Sequence, residues 1–240
     1  VQTLPLVESK RLRKLETEDM TENMSELPIE PLLPDIADTL RARKRLILGA
    51  PPGAGKTTRV PLALGGLIEG FEALPGKTLM LDPRRIAARM AAQRMAQTLG
   101  EPLGKQIGLA TRVDRKVSAA TKVEVITDGL FTRRLLADPE LSEISAVIFD
   151  EIHERSLSAD LGLALALDVQ GALREDLCLL AMSATLDTAQ MAKTFDAPVI
   201  ESEGRQYPIE TRYLGRSQDR LEDQMARAID RALRETDGSI

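Results

Sequence analysis

The sequence predicts an α/β fold in which a mainly parallel sheet is covered by helices on both faces. Short apolar segments of strand length alternate with helical stretches from about residue 33 to residue 202, the pattern of parallel strands joined by helical crossovers. One apolar segment runs into a glycine-rich loop, "PPGAG" at 51–55, that opens onto a helix. Another, "AVIFDE" at 146–151, is four apolar residues closed by two carboxylates.

The elements follow in order. "LPDIADTLRAR" (33–43) reads as a helix and leads to a short apolar strand, "RLILGA" (45–50). After the loop a helix is expected near 56–68, then a second strand, "KTLMLD" (77–82). The long helix expected over 84–99 repeats Ala87, Ala91, Met95 and Leu99 every four residues, a buried stripe at helical spacing. Further strands are expected at "QIGLATR" (106–112), "KVEVIT" (122–127), "AVIFDE", "LCLLAMS" (177–183) and "APVIES" (197–202), with helices at 129–137, 159–174 and 188–195. Beyond "GRQYPIETRYLG" (204–215) a helix, "RLEDQMARAIDRAL" (220–233), has no sheet of its own to join, so residues 205–240 read as the truncated start of a second domain. Residues 1–25 lack steady periodicity and read as a tail. "MSELPIEPLLPDI" from Met24 looks like a natural start, which makes residues 1–23 an expected upstream extension.

Composition narrows the classes. Of the 240 residues 43% are hydrophobic and only 2% aromatic, so the core must be built from Leu, Ile, Val, Ala and Met. No apolar run approaches the roughly 20 residues that span a bilayer, and "VQTLPLVESKRLRKLETED" has no signal core; no membrane association is expected. A single cysteine, Cys178, excludes an intramolecular disulfide framework and suits a reducing cytosol. Net charge is −5, which argues against bulk nonspecific nucleic-acid binding. Residues 84–134 nevertheless carry eleven Lys and Arg against four Asp and Glu. That local excess has meaning only if it lies where phosphates would.

The stretch "APPGAGKTT" (50–58) sits between a strand and a helix, the context of a Walker A phosphate loop. Gly53 and Gly55, flanking Ala54, let the backbone wrap a phosphate, and the amides at the helix start, through Thr58, supply positive potential. Lys56 would reach the β- and γ-phosphates of ATP, and the Thr57 hydroxyl would ligate Mg²⁺. The first glycine of the pattern is replaced by Ala50; the later glycines make the close approach. Such a site needs a carboxylate at the end of another strand. Asp150 would hold Mg²⁺, directly or through water, and Glu151 would act as general base on the attacking water. His153 is the only histidine, so a two-histidine zinc site is excluded, as is a serine hydrolase without a nucleophile elbow. With Glu151 in the base position, His153 is expected to act through hydrogen bonding.

"DEIH" (150–153) resembles the DEAH box of superfamily-two helicases, and other segments fall in that family's order. "PRRIAARMAAQRMA" (83–96) looks like motif Ia, "TDGLFTR" (127–133) like motif Ib and "SAT" (183–185) like motif III. The wording of "APPGAGKTTRVPLAL" and "DEIHERSLSADLGLALALDVQ" is most similar to the bacterial HrpB-type ATP-dependent helicases, over about residues 26–240. The resemblance implies a RecA-like ATP-binding domain over 26–204 and the start of a second RecA-like domain over 205–240. It implies a single strand of RNA or DNA held through its sugar-phosphate backbone. Arg84 and Arg85 open a predicted helix, where two cations are unfavourable alone and an anionic partner such as a phosphate is indicated. By resemblance Arg112, Thr127, Asp128 and Gly129 also line the strand path, while Ser183, Ala184 and Thr185 link nucleotide state to it; a polar loop capping the next helix is the plainer reading of that last segment. The resemblance also places arginines that complete the ATP site in a second domain, so this chain is expected to bind ATP, hydrolyse it poorly and not unwind. Two other readings stay open: a P-loop ATPase or kinase that is no helicase, and a binding module without catalysis.

Overall fold

In the computed structural model, residues 27–184, 189–202, 211–213, 215 and 219–235 are described. The chain divides into two compact units, Val1–Arg205 and Gln206–Ile240. In the first unit α1 is Leu33–Arg43, β1 Arg45–Gly49, α2 Lys56–Leu64, β2 Lys77–Leu81 and α3 Arg85–Thr98. Then follow β3 Ile107–Ala110, β4 Arg115–Lys116, β5 Val123–Ile126, α4 Asp128–Ala137 and β6 Ile144–Phe149. A 3-10 turn at Ile152–Glu154 leads to α5 Leu157–Ala172, β7 Cys178–Ser183, α6 Ala189–Phe195 and β8 Val199–Glu201.

The strands form one sheet in the order β4-β3-β5-β2-β6-β7-β1-β8. Every described pairing is parallel except β3 with β4. Strand alternation sends successive side chains to opposite faces, and each face has its own core. Leu46, Leu48, Ala146 and Ile148 pack with buried residues of α1, α2 and α3, whereas Ile47, Val147 and Phe149 pack with Phe131 of α4 and with Ala159 and Ala166 of α5. Phe131 and Phe149 meet edge to face at 5.8 Å between centroids. The expected two-sided α/β architecture is therefore present.

Register decides where chemistry can gather. Gly49 pairs with Ser183, Phe149 with Ala181, and Leu81 with both Phe149 and Ile126. The carboxyl ends of β1, β7, β6, β2 and β5 are thus level, and the residues after them share one edge, where ligands of open parallel sheets bind.

Several elements depart from expectation. The helix expected to run to 68 stops at Leu64, because Gly65 and Gly66 turn the chain and Gly66 adopts a φ of +62°. The buried stripe of α3 is carried by Ala88, Ala91, Ala92, Met95 and Ala96, with Ala87 and Leu99 at its margins. The two exposed residues of β4 carry no hydrophobic signal; they are a strand only through antiparallel pairing with Leu109 and Ala110. Cys178 is buried in β7, its thiol donating to the Leu40 carbonyl at 3.5 Å.

The second unit is described mainly through one helix, α7 at Leu221–Glu235. Leu221, Met225, Ile229 and Leu233 lie exposed along one side of it, while Arg231 and Arg234 pair with Glu235 and Asp230. Among the described residues no helix is long and apolar enough to cross a membrane.

Candidate nucleotide and nucleic-acid site

The loop after β1 passes through left-handed conformations at Gly53 (φ +80°) and Gly55 (φ +94°), which glycine adopts at little cost. A strap, Leu27–Ile29, holds it from outside. The Ile29 amide donates to the Ala54 carbonyl at 3.1 Å, and a Cβ on Gly55 would stand 2.9 Å from Leu27 Cδ1. On the far side the Ala50 amide donates to the Ser183 carbonyl at 3.0 Å. The Thr58 hydroxyl turns back to the Gly55 carbonyl at 3.4 Å, leaving Lys56 and Thr57 as the loop's reactive side chains.

Both meet the acidic pair that follows β6. The Thr57 hydroxyl donates to Asp150 Oδ2 at 2.7 Å, and Lys56 Nζ lies 3.6 Å from Glu151 Oε1. Burial pushes the Asp150 carboxyl up to about 6, against the opposing hydrogen bond from Thr57. A hard cation beside these oxygens would reverse that shift. Glu151 has a φ of 51°, and its amide donates to Asp150 Oδ1 at 2.9 Å. Left-handed residues bracket the turn that follows, since Arg155 has a φ of 53°.

His153 Nδ1 lies 3.3 Å from Glu151 Oε2 and 3.3 Å from the Ala184 amide nitrogen. One nitrogen cannot serve both. With a lone pair it accepts from Ala184, and carrying a proton it donates to Glu151. Its ring thus stands between the acidic pair and the end of β7. Ser183 is buried beside it; Thr185 lies outside the described residues.

The residues expected to line a nucleic-acid strand share the sheet edge but differ in exposure. Arg84 is the residue preceding α3, in extended conformation, not within its first turn as expected; Arg85 opens the helix and is exposed. The Arg84 amide donates to Asp82 Oδ1 at 2.8 Å, and its guanidinium pairs with Glu154 at 2.8 Å. Arg112 is exposed on the β3–β4 turn, which Arg89 ties to α3 through a 2.6 Å pair with Asp114. Thr127 precedes α4 and Gly129 is exposed in its first turn. Asp128 is buried and accepts from the Ser156 hydroxyl at 3.1 Å; burial raises its pKa. Asp128 therefore ties α4 to the start of α5 and does not face solvent.

Sequence reasoning passed over Asp82 and Glu154. Asp82 closes the apolar run "KTLML" just as Asp150 closes "AVIF", a signal that was available. It is buried, and burial raises its carboxyl to about 6, opposed by the Arg84 amide and charge and assisted by Glu151 and Asp128. A carboxyl raised above its ordinary 3.8 disfavours the fold once ionised. That cost is absent below 3.8 and grows as pH rises through about 6. Asp82→Asn keeps an acceptor for the Arg84 amide, so it is expected to be more stable than the parent at pH 8 by about 1–2 kcal/mol. The gap should close toward pH 4 in urea titrations. A constant gap would remove Asp82 as its source.

Residues 34–194 match the family model described as DEAD/DEAH box helicase. The chain is 46% identical over 219 residues to the ATP-dependent RNA helicase HrpB of Escherichia coli K12, covering 90% of this chain and 27% of that protein. It is 35% identical over 221 residues to the ATP-dependent RNA helicase HrpA of the same organism, 89% of this chain and 17% of the relative. A crystal structure of the Escherichia coli DEAH/RHA helicase HrpB superposes with a TM-score of 0.81 at 45% identity, over 89% of this chain and 27% of that one. The chain thus spans about a quarter or less of the length of these relatives.

Proposed function

Since the chain belongs to the DEAD/DEAH box helicase family, we propose that it forms the ATP-binding half of an engine coupling ATP hydrolysis to movement along a single strand, RNA in the first instance. The observation that carries this reading is the convergence of Thr57 on Asp150 and of Lys56 on Glu151 at one sheet edge. Residues 26–204 serve as the first RecA-like domain and 205–240 as the start of a second, with residues 1–25 as a tail. The relatives' names, RNA helicases both, favour RNA over DNA as the strand.

The chain's own groups divide the work. The loop amides and Lys56 bind the phosphates. Thr57 and Asp150 present two hard oxygens of the kind Mg²⁺ takes, and a cation sharing its shell with phosphates and water needs few protein ligands. When bound, Mg²⁺ neutralises charge developing on the phosphates. Glu151 orients the attacking water and takes its proton, while His153 ties the acidic pair to the end of β7. Arg84, Arg85 and Arg112 contact the strand's phosphates. A second RecA-like domain supplying arginines is part of this reading, so the described residues account for binding and water activation but not for the full rate.

Lys56→Ala is expected to weaken binding of a fluorescent ATP analogue to the chain about ten- to a hundredfold, the effect of losing a charge-assisted phosphate contact. Unchanged affinity would refute the phosphate loop. In a protein carrying both domains, poly(U) should stimulate ATP turnover more than poly(dT). No stimulation by either would remove the helicase reading and leave an ATPase of another kind.

A further inference from the structure

The Arg84 guanidinium is engaged by a carboxylate of the chain itself. Arg84 Nη2 lies 2.8 Å from Glu154 Oε1, and Glu154 ends the 3-10 turn that begins one residue after the general base Glu151. We propose that Glu154 is an intramolecular stand-in for a strand phosphate, holding Arg84 until a backbone phosphate displaces it. The inference rests on the nucleic-acid role of Arg84 proposed above.

Three features carry it. First, carboxylate and phosphate offer the same planar guanidinium fork equivalent pairs of oxygens, so one can replace the other without moving the arginine backbone. That backbone is fixed independently, by the Arg84 amide on Asp82 at 2.8 Å. Second, the pair is open to water: the Arg84 side chain is 61% exposed and that of Glu154 34%. An exposed pair shifts an equilibrium by only about fivefold at most, which makes it replaceable by a polyanion. Third, Glu154 is not a neutral bystander on the turn. Its amide donates to the Glu151 carbonyl at 2.9 Å, so the carboxylate that Arg84 holds is carried on the same short turn as Glu151 and His153. Arg84 can hold either this carboxylate or a strand phosphate, and the exchange takes place on the turn next to the acidic pair. Glu154 is a positioning residue in this scheme and touches no reacting atom.

The test is equilibrium binding of a labelled single-stranded poly(U) probe to the full 240-residue chain, unaltered and as Glu154→Gln, Arg84→Ala and the double variant. Glu154→Gln should tighten binding about two- to fivefold by removing the competitor. Arg84→Ala should weaken it, and in the Arg84→Ala background the Glu154 substitution should have no effect. Glu69→Gln, at an exposed residue beyond α2, removes the same charge elsewhere and should leave affinity unchanged. If Arg84→Ala does not weaken binding, the nucleic-acid role of Arg84 fails and the inference with it. If Arg84→Ala weakens binding but Glu154→Gln does not tighten it, only the stand-in role is overturned. The same holds if the tightening persists without Arg84 or is matched by Glu69→Gln, either of which would mark a general charge effect.

Discussion

Glu151→Gln, in a protein carrying both RecA-like domains, is expected to lower ATP turnover by about 10²–10⁴-fold, the range of a positioned general base, while nucleotide affinity stays nearly unchanged. The amide is isosteric, so the turn keeps its shape and the residue 151 amide keeps its bond to Asp150 Oδ1. The Thr57–Asp150 contact at 2.7 Å does not involve the Glu151 side chain, which leaves the oxygens proposed for the cation in place. What is lost is a group able to accept a proton from water. Phosphate release measured beside nucleotide binding separates the two effects. A loss in affinity as large as the loss in turnover would recast Glu151 as a binding residue, and undiminished turnover would move the base elsewhere.

The second large effect concerns stability. Glu124 of β5 is buried, with 4% of its side chain exposed, and receives both arms of the Arg134 guanidinium from α4 at 2.6 and 3.0 Å. Removing one partner of such a pair strands the other charge away from water. Arg134→Ala is expected to cost about 3 kcal/mol in urea unfolding, less than a fully buried pair would because Arg134 keeps 24% of its side chain exposed. Replacing both partners, as Glu124→Leu with Arg134→Met, should recover most of that loss, since an apolar pair of similar volume avoids the desolvation of two ions. A double variant no better than Arg134→Ala would mean that packing, and not the stranded carboxylate, sets the cost.

The legible parts of the fold were those written in apolar runs. "RLILG", "KTLML", "AVIF" and "CLLAMS" are strands because continuous apolar segments of that length fit a sheet covered on both faces, and each is buried in that sheet. The glycine-rich loop and the acidic pair were equally plain, because both are contiguous in sequence and each follows a strand. Strand order was not legible. Nothing in "AVIFDE" says that β6 lies between β2 and β7, and that placement, with the level register, brings Asp150 to Thr57. Long-range pairings were invisible for the same reason: Arg84 with Glu154, Arg89 with Asp114, and the strap at Ile29 on Ala54. Charge counting over 84–134 gave the sign of the region but not its partners. Asp128 illustrates the limit: a polar residue beside a loop reads as exposed until Ser156 is found holding it in the interior.

The two left-handed residues that bracket the turn after the acidic pair store conformational energy at the sheet edge. Glu151 and Arg155, at φ of 51° and 53°, are side-chain-bearing residues in a region that costs roughly 1–2 kcal/mol each. Allosteric coupling free energies typically run about 1–3 kcal/mol. Held together, the two angles store roughly 2–4 kcal/mol in this one turn, as much as such a coupling would require. That cost is carried within five residues, Glu151 to Arg155, and must be met by the packing of the sheet edge around them.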